Sequence, residues 1–350
     1  MEVLAGDVGG TKTLLAIAEV GETQGPASVP SIDLRESRRF DSRQYPGLGA
    51  ICRAYAEELG KPLPPYAGFG VAGPVSGGRS HTTNLPWMLD EHELASAIGV
   101  RRVRLVNDFH ALALALSSVK EKDLVTLNEG VHDPLGPRAL IGAGTGLGEA
   151  ISIIDFEGRR EVLATEGGHT SFAPSSELEI EVLRFLLRRH AHVSWERVLS
   201  GDGLVNLAEA IADSSGAPLP EDVADAILYR RGDAPSAITD ASRAGDPVCR
   251  RAVETFCSLY GAEAGNLALK CLATGGVYVA GGIAPKLLPE LRDGRFRAAF
   301  LAKGRMRPLL EAMPVQVVLD PNTTVLGAAA LAANEATVLP QTRHTPAIIP

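Results

Sequence analysis

Gly6-Asp7-Val8-Gly9-Gly10-Thr11-Lys12-Thr13 interrupts two apolar runs near the start of the chain, and Gly142-Ala143-Gly144-Thr145-Gly146-Leu147-Gly148-Glu149 does the same about half a chain later. Glycine opens backbone conformations closed to other residues, so each stretch lets successive N–H groups turn inward around an anion. The first stretch misses the phosphate-binding pattern G-x-x-x-x-G-K-[ST] by one residue, because Thr11 stands where the second Gly belongs. Its context differs as well, since Leu14 to Val20 reads as a β run and not as the start of a helix. In the second stretch the glycines recur every second residue, which does not match G-x-G-x-x-G, and Ile151 to Ile154 again reads as strand. Each stretch is therefore expected to be the turn of a β-hairpin. Alone, either reads most simply as an ordinary tight hairpin; as a pair they suit neighbouring phosphates of one polyphosphate. A third element, Val277-Tyr278-Val279-Ala280-Gly281-Gly282-Ile283-Ala284-Pro285, has strand, double glycine and helix, and its bare backbone suits a flat ring.

Outward from these turns the chain alternates short apolar strands with helices, the pattern of an α/β fold. Strands are expected at Val3 to Ala5, Thr13 to Ala18, Tyr66 to Val71, Val103 to Val106, Ala139 to Ile141, Val277 to Ala280 and Val315 to Leu319. Helices are expected at Leu48 to Leu59, Glu91 to Ile98, Glu177 to Arg189, Leu204 to Ala212, Val223 to Tyr229, Pro247 to about Leu272, Lys286 to Leu291 and Leu326 to Ala333. Asp90 with Glu93 resembles a capping box, and Asp246 before Pro247 supplies an N-cap and a first-position proline. A polar stretch from Asn128 to Pro137 marks a change of domain, and Thr337 to Pro350 reads as a frayed tail. Each half opens with strand, Gly-rich turn and strand, a loose internal echo.

Composition narrows the function. The chain has 350 residues, 45% apolar and 22% charged, which is the balance of a globular protein long enough for two domains. Its 34 basic and 42 acidic residues leave a net charge of −8 with no basic stripe, so nucleic acid is not an expected ligand. Glu2 and Asp7 stand where a secretory signal needs a basic and then an unbroken apolar region, and no apolar run approaches the ~20 residues of a bilayer-spanning helix. A soluble cytoplasmic protein is expected, with no membrane partner. Cys52, Cys249, Cys257 and Cys271 form no C-x-x-C pair, which argues against structural zinc.

Polar residues gather where strands and turns end. Asn107 and Asp108 follow the strand ending at Val106 and precede a helical run, so either is a candidate helix cap, and Asp108 is also a candidate general base. Glu166-Gly167-Gly168-His169 sets an acid and an imidazole three apart on a turn too Gly-rich for a helix, suited to hydrogen-bonding sugar hydroxyls. Asn84, in Thr83-Asn84-Leu85-Pro86-Trp87, adds an amide, and Glu196 adds a carboxylate near a helix start, where capping is the competing role.

Taken in order, GDVGGT at 6–11, GVAGP at 70–74, TNLPW at 83–87, NDF at 107–109, GAGTGLG at 142–148, EGGH at 166–169, ERVLSG at 196–201 and AGGI at 280–283 closely resemble the bacterial glucokinase family of the hexokinase and actin-like sugar kinase superfamily. The resemblance implies a two-lobed actin-like ATPase (ribonuclease H-like) fold with an interlobe cleft. Residues 1–118 and 319–350 would form the small lobe and 119–318 the large one. It implies an ATP-dependent kinase that phosphorylates the 6-hydroxyl of glucose in glycolysis. Asn84, Asn107, Asp108, Glu166, His169 and Glu196 would hold glucose, with Asp108 as catalytic base. Gly6, Asp7, Val8, Gly9, Gly10, Thr11 and Lys12, then Gly142, Gly144, Thr145 and Gly146, then Gly281 and Gly282, would line ATP. Asp7 would reach Mg²⁺ through water, since Mg²⁺ keeps much of its water shell, and a homodimer is implied. Lys12 departs from the Asn usual in this group and offers a point charge to phosphate. A kinase of another hexose, a catalytically silent sugar-sensing regulator on the same scaffold, and a P-loop NTPase are the competing functions.

Overall fold

The computed structural model describes residues 1–21, 31–82, 85–229 and 233–337. Asn84 and the tail beyond 337 lie outside the described residues. The chain divides into two compact units, one of residues 1–121, 154–164 and 320–350, the other of 122–153 and 165–319.

The strands of the first unit are β1 (Glu2–Val8), β2 (Lys12–Val20), β3 (Ile32–Asp41), β4 (Tyr66–Val71), β5 (Val75–Ser76), β6 (Arg79–His81), β7 (Met88–Asp90) and β8 (Arg102–Asn107). Its main sheet runs β3-β2-β1-β4-β8, with β1 antiparallel to β2 and parallel to β4, and β4 parallel to β8. Helices α1 (Leu48–Leu59), α2 (Glu91–Ile98) and α3 (Asp108–Ala115) follow β3, β7 and β8. Because strand side chains alternate, β1 and β2 send Leu4, Val8, Leu15 and Ile17 into a core with Leu48, Ile51 and Tyr55 of α1 and Leu94 of α2. Val3, Ala5, Ala16 and Ala18 face the other way.

The second sheet runs β12-β11-β10-β13-β14-β9. Its strands are β9 (Leu124–Asn128), β10 (Arg138–Ala143), β11 (Leu147–Ile154), β12 (Arg160–Thr165), β13 (Val277–Ala280) and β14 (Val315–Val318). Helices α4 (Glu177–Leu187), α5 (Gly201–Ser215), α6 (Glu221–Tyr229), α7 (Ala234–Ala244) and α8 (Pro247–Cys271) follow, and α9 (Leu288–Leu291), α10 (Arg295–Leu301) and α11 (Arg307–Glu311) precede β14. One apolar core runs from Ile141 and Val279 of the sheet to Phe256 and Tyr260 of α8 and Phe296 of α10. The last helix, α12 (Thr323–Thr337), belongs to the first unit, where Val325, Ala328, Ala329 and Ala332 cover Val3, Ala5, Ala16 and Ala18.

The loose echo is thus a shared topology: hairpin, then two parallel strands, in both sheets. The expected elements are present, about half of them longer than read and several shorter. β3 was not expected, because its burial pattern is almost wholly exposed and shows no apolar alternation. β5 to β7, β9, β12, α7, α10 and α11 are likewise additions. The helix expected at Lys286 to Leu291 shrinks to Leu288–Leu291, with Pro289 in its first turn. Asp90 caps α2 by accepting from the backbone N–H groups of His92 and Glu93, while its other oxygen accepts from Arg79 Nε at 2.7 Å, so the box is one-sided. Asp246 caps α8 through Cys249 N at 2.8 Å. Cys52, Cys249 and Cys257 are buried and free, as plain core residues. Among the described residues no helix is long and apolar enough to cross a membrane.

Candidate active site

In the first unit the Gly-rich segment is the β1–β2 hairpin turn, closed by Gly9 N donating to Lys12 O at 3.0 Å. It is braced from outside. Ser42, fully buried just after β3, donates Oγ–H to Gly9 O at 2.9 Å and N–H to Thr11 O at 3.0 Å, and its hydroxyl meets that of Thr13 at 2.9 Å. With the turn's carbonyls tied back in this way, the N–H groups of Gly10 and Thr11 donate to no described residue. Lys12 is exposed at the edge of this turn.

Asp7 is the direct register partner of Gly70 across the β1–β4 pair. A Cβ at Gly70 would fall 2.6 Å from Thr324 Cγ2 and 3.0 Å from Ala111 Cβ, so only glycine lets α3 and α12 close on β4. That approach brings Asp108, first residue of α3, beside Asp7. Burial and then the charge of Asp108 push the Asp7 carboxyl up to about 7. Burial lifts Asp108 to about 6, opposed by hydrogen bonds from the backbone N–H groups of Phe109 and Asp108 and from Asn107. The cap role falls to Asn107, whose Oδ1 accepts from Phe109 N at 2.9 Å and His110 N at 3.4 Å, while its Nδ2 donates to Gly73 O at 3.2 Å. The sequence left the cap open between the two residues; in the fold Asn107 takes it and the Asp108 carboxylate stays beside Asp7.

In the second unit the other Gly-rich stretch forms the β10–β11 hairpin turn, with Gly144 N donating to Gly146 O at 2.8 Å. Thr145 and Gly146 donate to no described residue. Glu196 is not a helix cap: Ser200 caps α5, and Glu196 Oε2 instead accepts from Leu147 N at 3.0 Å. His169 stands between two carboxylates, Nε2 at 3.8 Å from Glu166 Oε2 and Nδ1 at 4.0 Å from Glu196 Oε1. The double glycine between Glu166 and His169 has a steric cause, because a Cβ at Gly168 would fall 2.1 Å from Leu147 O. The third turn touches the second. Gly281 has φ +83° and its Cβ position lies 2.4 Å from Ala143 O. Tyr260 of α8 joins the two, accepting from Ala143 N at 2.9 Å and donating to Ala280 O at 3.1 Å. Gly282 is open, with nothing within 4 Å of its Cβ position.

Ser42 and Tyr260 escaped the sequence reading. Neither belongs to a motif, and the only signal is the need of each turn for a donor or acceptor from elsewhere in the chain. Among the described residues no three metal-binding side chains cluster.

A model of the glucokinase family matches residues 4–335. The chain is 38% identical over 343 residues to a glucokinase of Nostoc punctiforme, covering 95% of this chain and 98% of that protein. It is 39% identical over 349 residues to a glucokinase of a Synechocystis strain, covering 94% and 97%. The chain belongs to the glucokinase family. It is an ATP-dependent hexose kinase, as its motifs imply. Its fold is the expected α/β, two-lobed actin-like ATPase class, and a solved glucokinase from an Antarctic psychrotroph superposes with a TM-score of 0.80 at 29% identity, covering 95% of this chain and 99% of that one.

Proposed function

We propose that this family member transfers the γ-phosphoryl group of ATP to the 6-hydroxyl of glucose, with Asp108 as the base. The observation that carries the assignment is a half-buried carboxylate at the first position of α3, lifted by its partial burial to about 6. Such a group is ionised at neutral pH yet basic enough to take a proton from a hydroxyl as phosphoryl transfer proceeds. Glucose binds through Asn84, Asn107, Asp108, Glu166, His169 and Glu196. ATP lies along Gly6 to Lys12, Gly142, Gly144, Thr145, Gly146, Gly281 and Gly282, where free backbone N–H groups of both hairpins face phosphate oxygens and Lys12 adds a point charge.

Asp7 fits a magnesium ion held through water. Its carboxyl accepts no hydrogen bond from a described residue and is raised by burial and then by the charge of its neighbour Asp108, a repulsion that a cation relieves. Mg²⁺ binds few carboxylates and keeps several waters, so a single carboxylate such as Asp7 can hold it through its water shell. Bound there, the ion would offset phosphate charge. We also assign residues 1–118 with 319–350 to the small lobe, 119–318 to the large one, and propose that the protein works as a cytoplasmic homodimer, in line with its kinship.

A coupled ADP-release assay over glucose, mannose, glucosamine and N-acetylglucosamine tests the assignment. Glucose should give the highest kcat/KM. Asp108→Asn should lower kcat by roughly 10²- to 10⁴-fold with glucose affinity near that of the parent. Unchanged turnover in that variant removes Asp108 from the base role.

A further inference from the structure

Of two glutamates outside the chemistry above, Glu149 lies beneath the turn that carries Glu166 and His169, and Glu263 lies beside Glu149. Glu149, on β11, is 3% exposed, and Glu263, on α8, is fully buried. Their donors are unevenly shared. Glu263 Oε2 accepts from Asn266 Nδ2 at 2.8 Å, and its Oε1 stands 3.4 Å from Lys270 Nζ. Glu149 Oε1 is buried and receives no hydrogen bond from any described N–H or O–H group, while its side chain lies within hydrogen-bonding reach of Glu263. Two buried carboxyl groups in contact resist ionising together, so the pair favours a state in which one keeps its proton and donates it to the other. Glu263 has the cation and the amide, and Glu149 is therefore the acid.

The other oxygen of Glu149 meets the sugar-binding turn. A Cβ built on Gly167 would fall 1.9 Å from Glu149 Oε2, so glycine there is what lets the acid pack directly under the main chain. The backbone repeats the contact. Thr165 Oγ1 donates to Glu149 O at 3.1 Å and accepts from Gly167 N at 3.2 Å. We propose that Glu149 and Glu263 share one proton, that the pair is a positioning device for the turn bearing Glu166 and His169, and that the turn loses its seat when the proton leaves. The positioning half rests on the reading of Glu166 and His169 as glucose ligands.

The pH sense follows from linkage. Burial, then the charge of Glu263, raise Glu149 from 4.5 to about 7 against the opposing charge of Lys270. The other charged groups around the pair are Lys303, whose Nζ donates to Ala262 O and Asn266 Oδ1, and, beyond it, Glu179 of α4. Native Glu149 holds its proton more tightly than the unfolded chain does. Its stabilising contribution is whole below about pH 4.5, falls as pH rises, and is gone above about 7, where the native pair ionises.

Glucose binding to the full chain without nucleotide, measured by calorimetry from pH 6 to 8.5, tests this against Glu149→Gln, whose amide stays neutral and still donates to Glu263. At pH 6 the two proteins should agree within about twofold, and by pH 8.5 the parent should have weakened by roughly 3- to 10-fold more than the variant. Every other ionisable group is common to both proteins, so the difference belongs to the pair. Infrared difference spectra of the ligand-free parent against Glu149→Gln should show the carbonyl stretch of a protonated carboxyl at pH 6, fading through pH 7, while Asp7 and Asp108, present in both proteins, cancel. Coincident binding profiles overturn the positioning role, and an absent band overturns the shared proton. Unchanged glucose affinity in Glu166→Gln would instead strike the sugar-ligand reading and the positioning role with it, leaving the band to decide the proton.

Discussion

Ser42 shows how much of a phosphate turn can depend on one hydroxyl outside it. It holds the carbonyls of Gly9 and Thr11 and meets Thr13, all from a fully buried position. Ser42→Ala should leave Gly9 O without its donor, a loss of about 1–3 kcal/mol for a buried group. The expected outcome is an ATP KM raised roughly tenfold with glucose KM unchanged, read from initial rates with each substrate varied in turn; an equal rise in both would make Ser42 a general support of the fold. The cap at Asn107 was legible because a polar pair at a strand's end, followed by a helical run, offers a side chain to the helix's first N–H groups. Ser42 was not, since its partner Gly9 lies 33 residues away along the chain and nothing in the intervening sequence links them.

Glycines that permit close packing separate from glycines that merely occupy a helix. A Cβ at Gly68 in β4 would fall 2.1 Å from Ala328 O of α12, whereas one at Gly49 in α1 meets nothing nearer than Leu94 Cδ1 at 3.5 Å. Gly68→Ala must push α12 off the sheet and should cost about 1–3 kcal/mol. Gly49→Ala should stabilise by about 0.5–1 kcal/mol through helix propensity alone. Urea midpoints at unchanged m-value check both signs. The glycines of the Gly-rich turns were conspicuous in sequence because they cluster. Gly68 and Gly70 stand in an ordinary strand, and their role appears only once α12 and α3 are laid against it. β3 was missed for a related reason: an edge strand with one partner, β2, and an exposed burial pattern carries no apolar alternation to read.

Across the molecule, the alanine face of the first sheet depends on a helix more than 300 residues downstream. Val3, Ala5, Ala16 and Ala18 are covered by α12, where small side chains on both partners permit a close approach. A chain ending at Leu319 should lose hydrogen-exchange protection at Val3–Val8 while keeping it at Arg138–Ala143, whose core contains no residue of α12. Equal protection of both strands in the truncated chain would show that α12 does not hold the first sheet. Hairpin turns, helix caps and strand alternation were readable in advance because each is settled among residues a few positions apart, where glycine freedom, capping hydrogen bonds and side-chain period act. The shared proton of Glu149 and Glu263, the Tyr260 link between two turns and the cover that α12 provides came from the folded chain alone. They join residues whose separation along the sequence says nothing of their contact, and it is the order of strands in each sheet that brings them together.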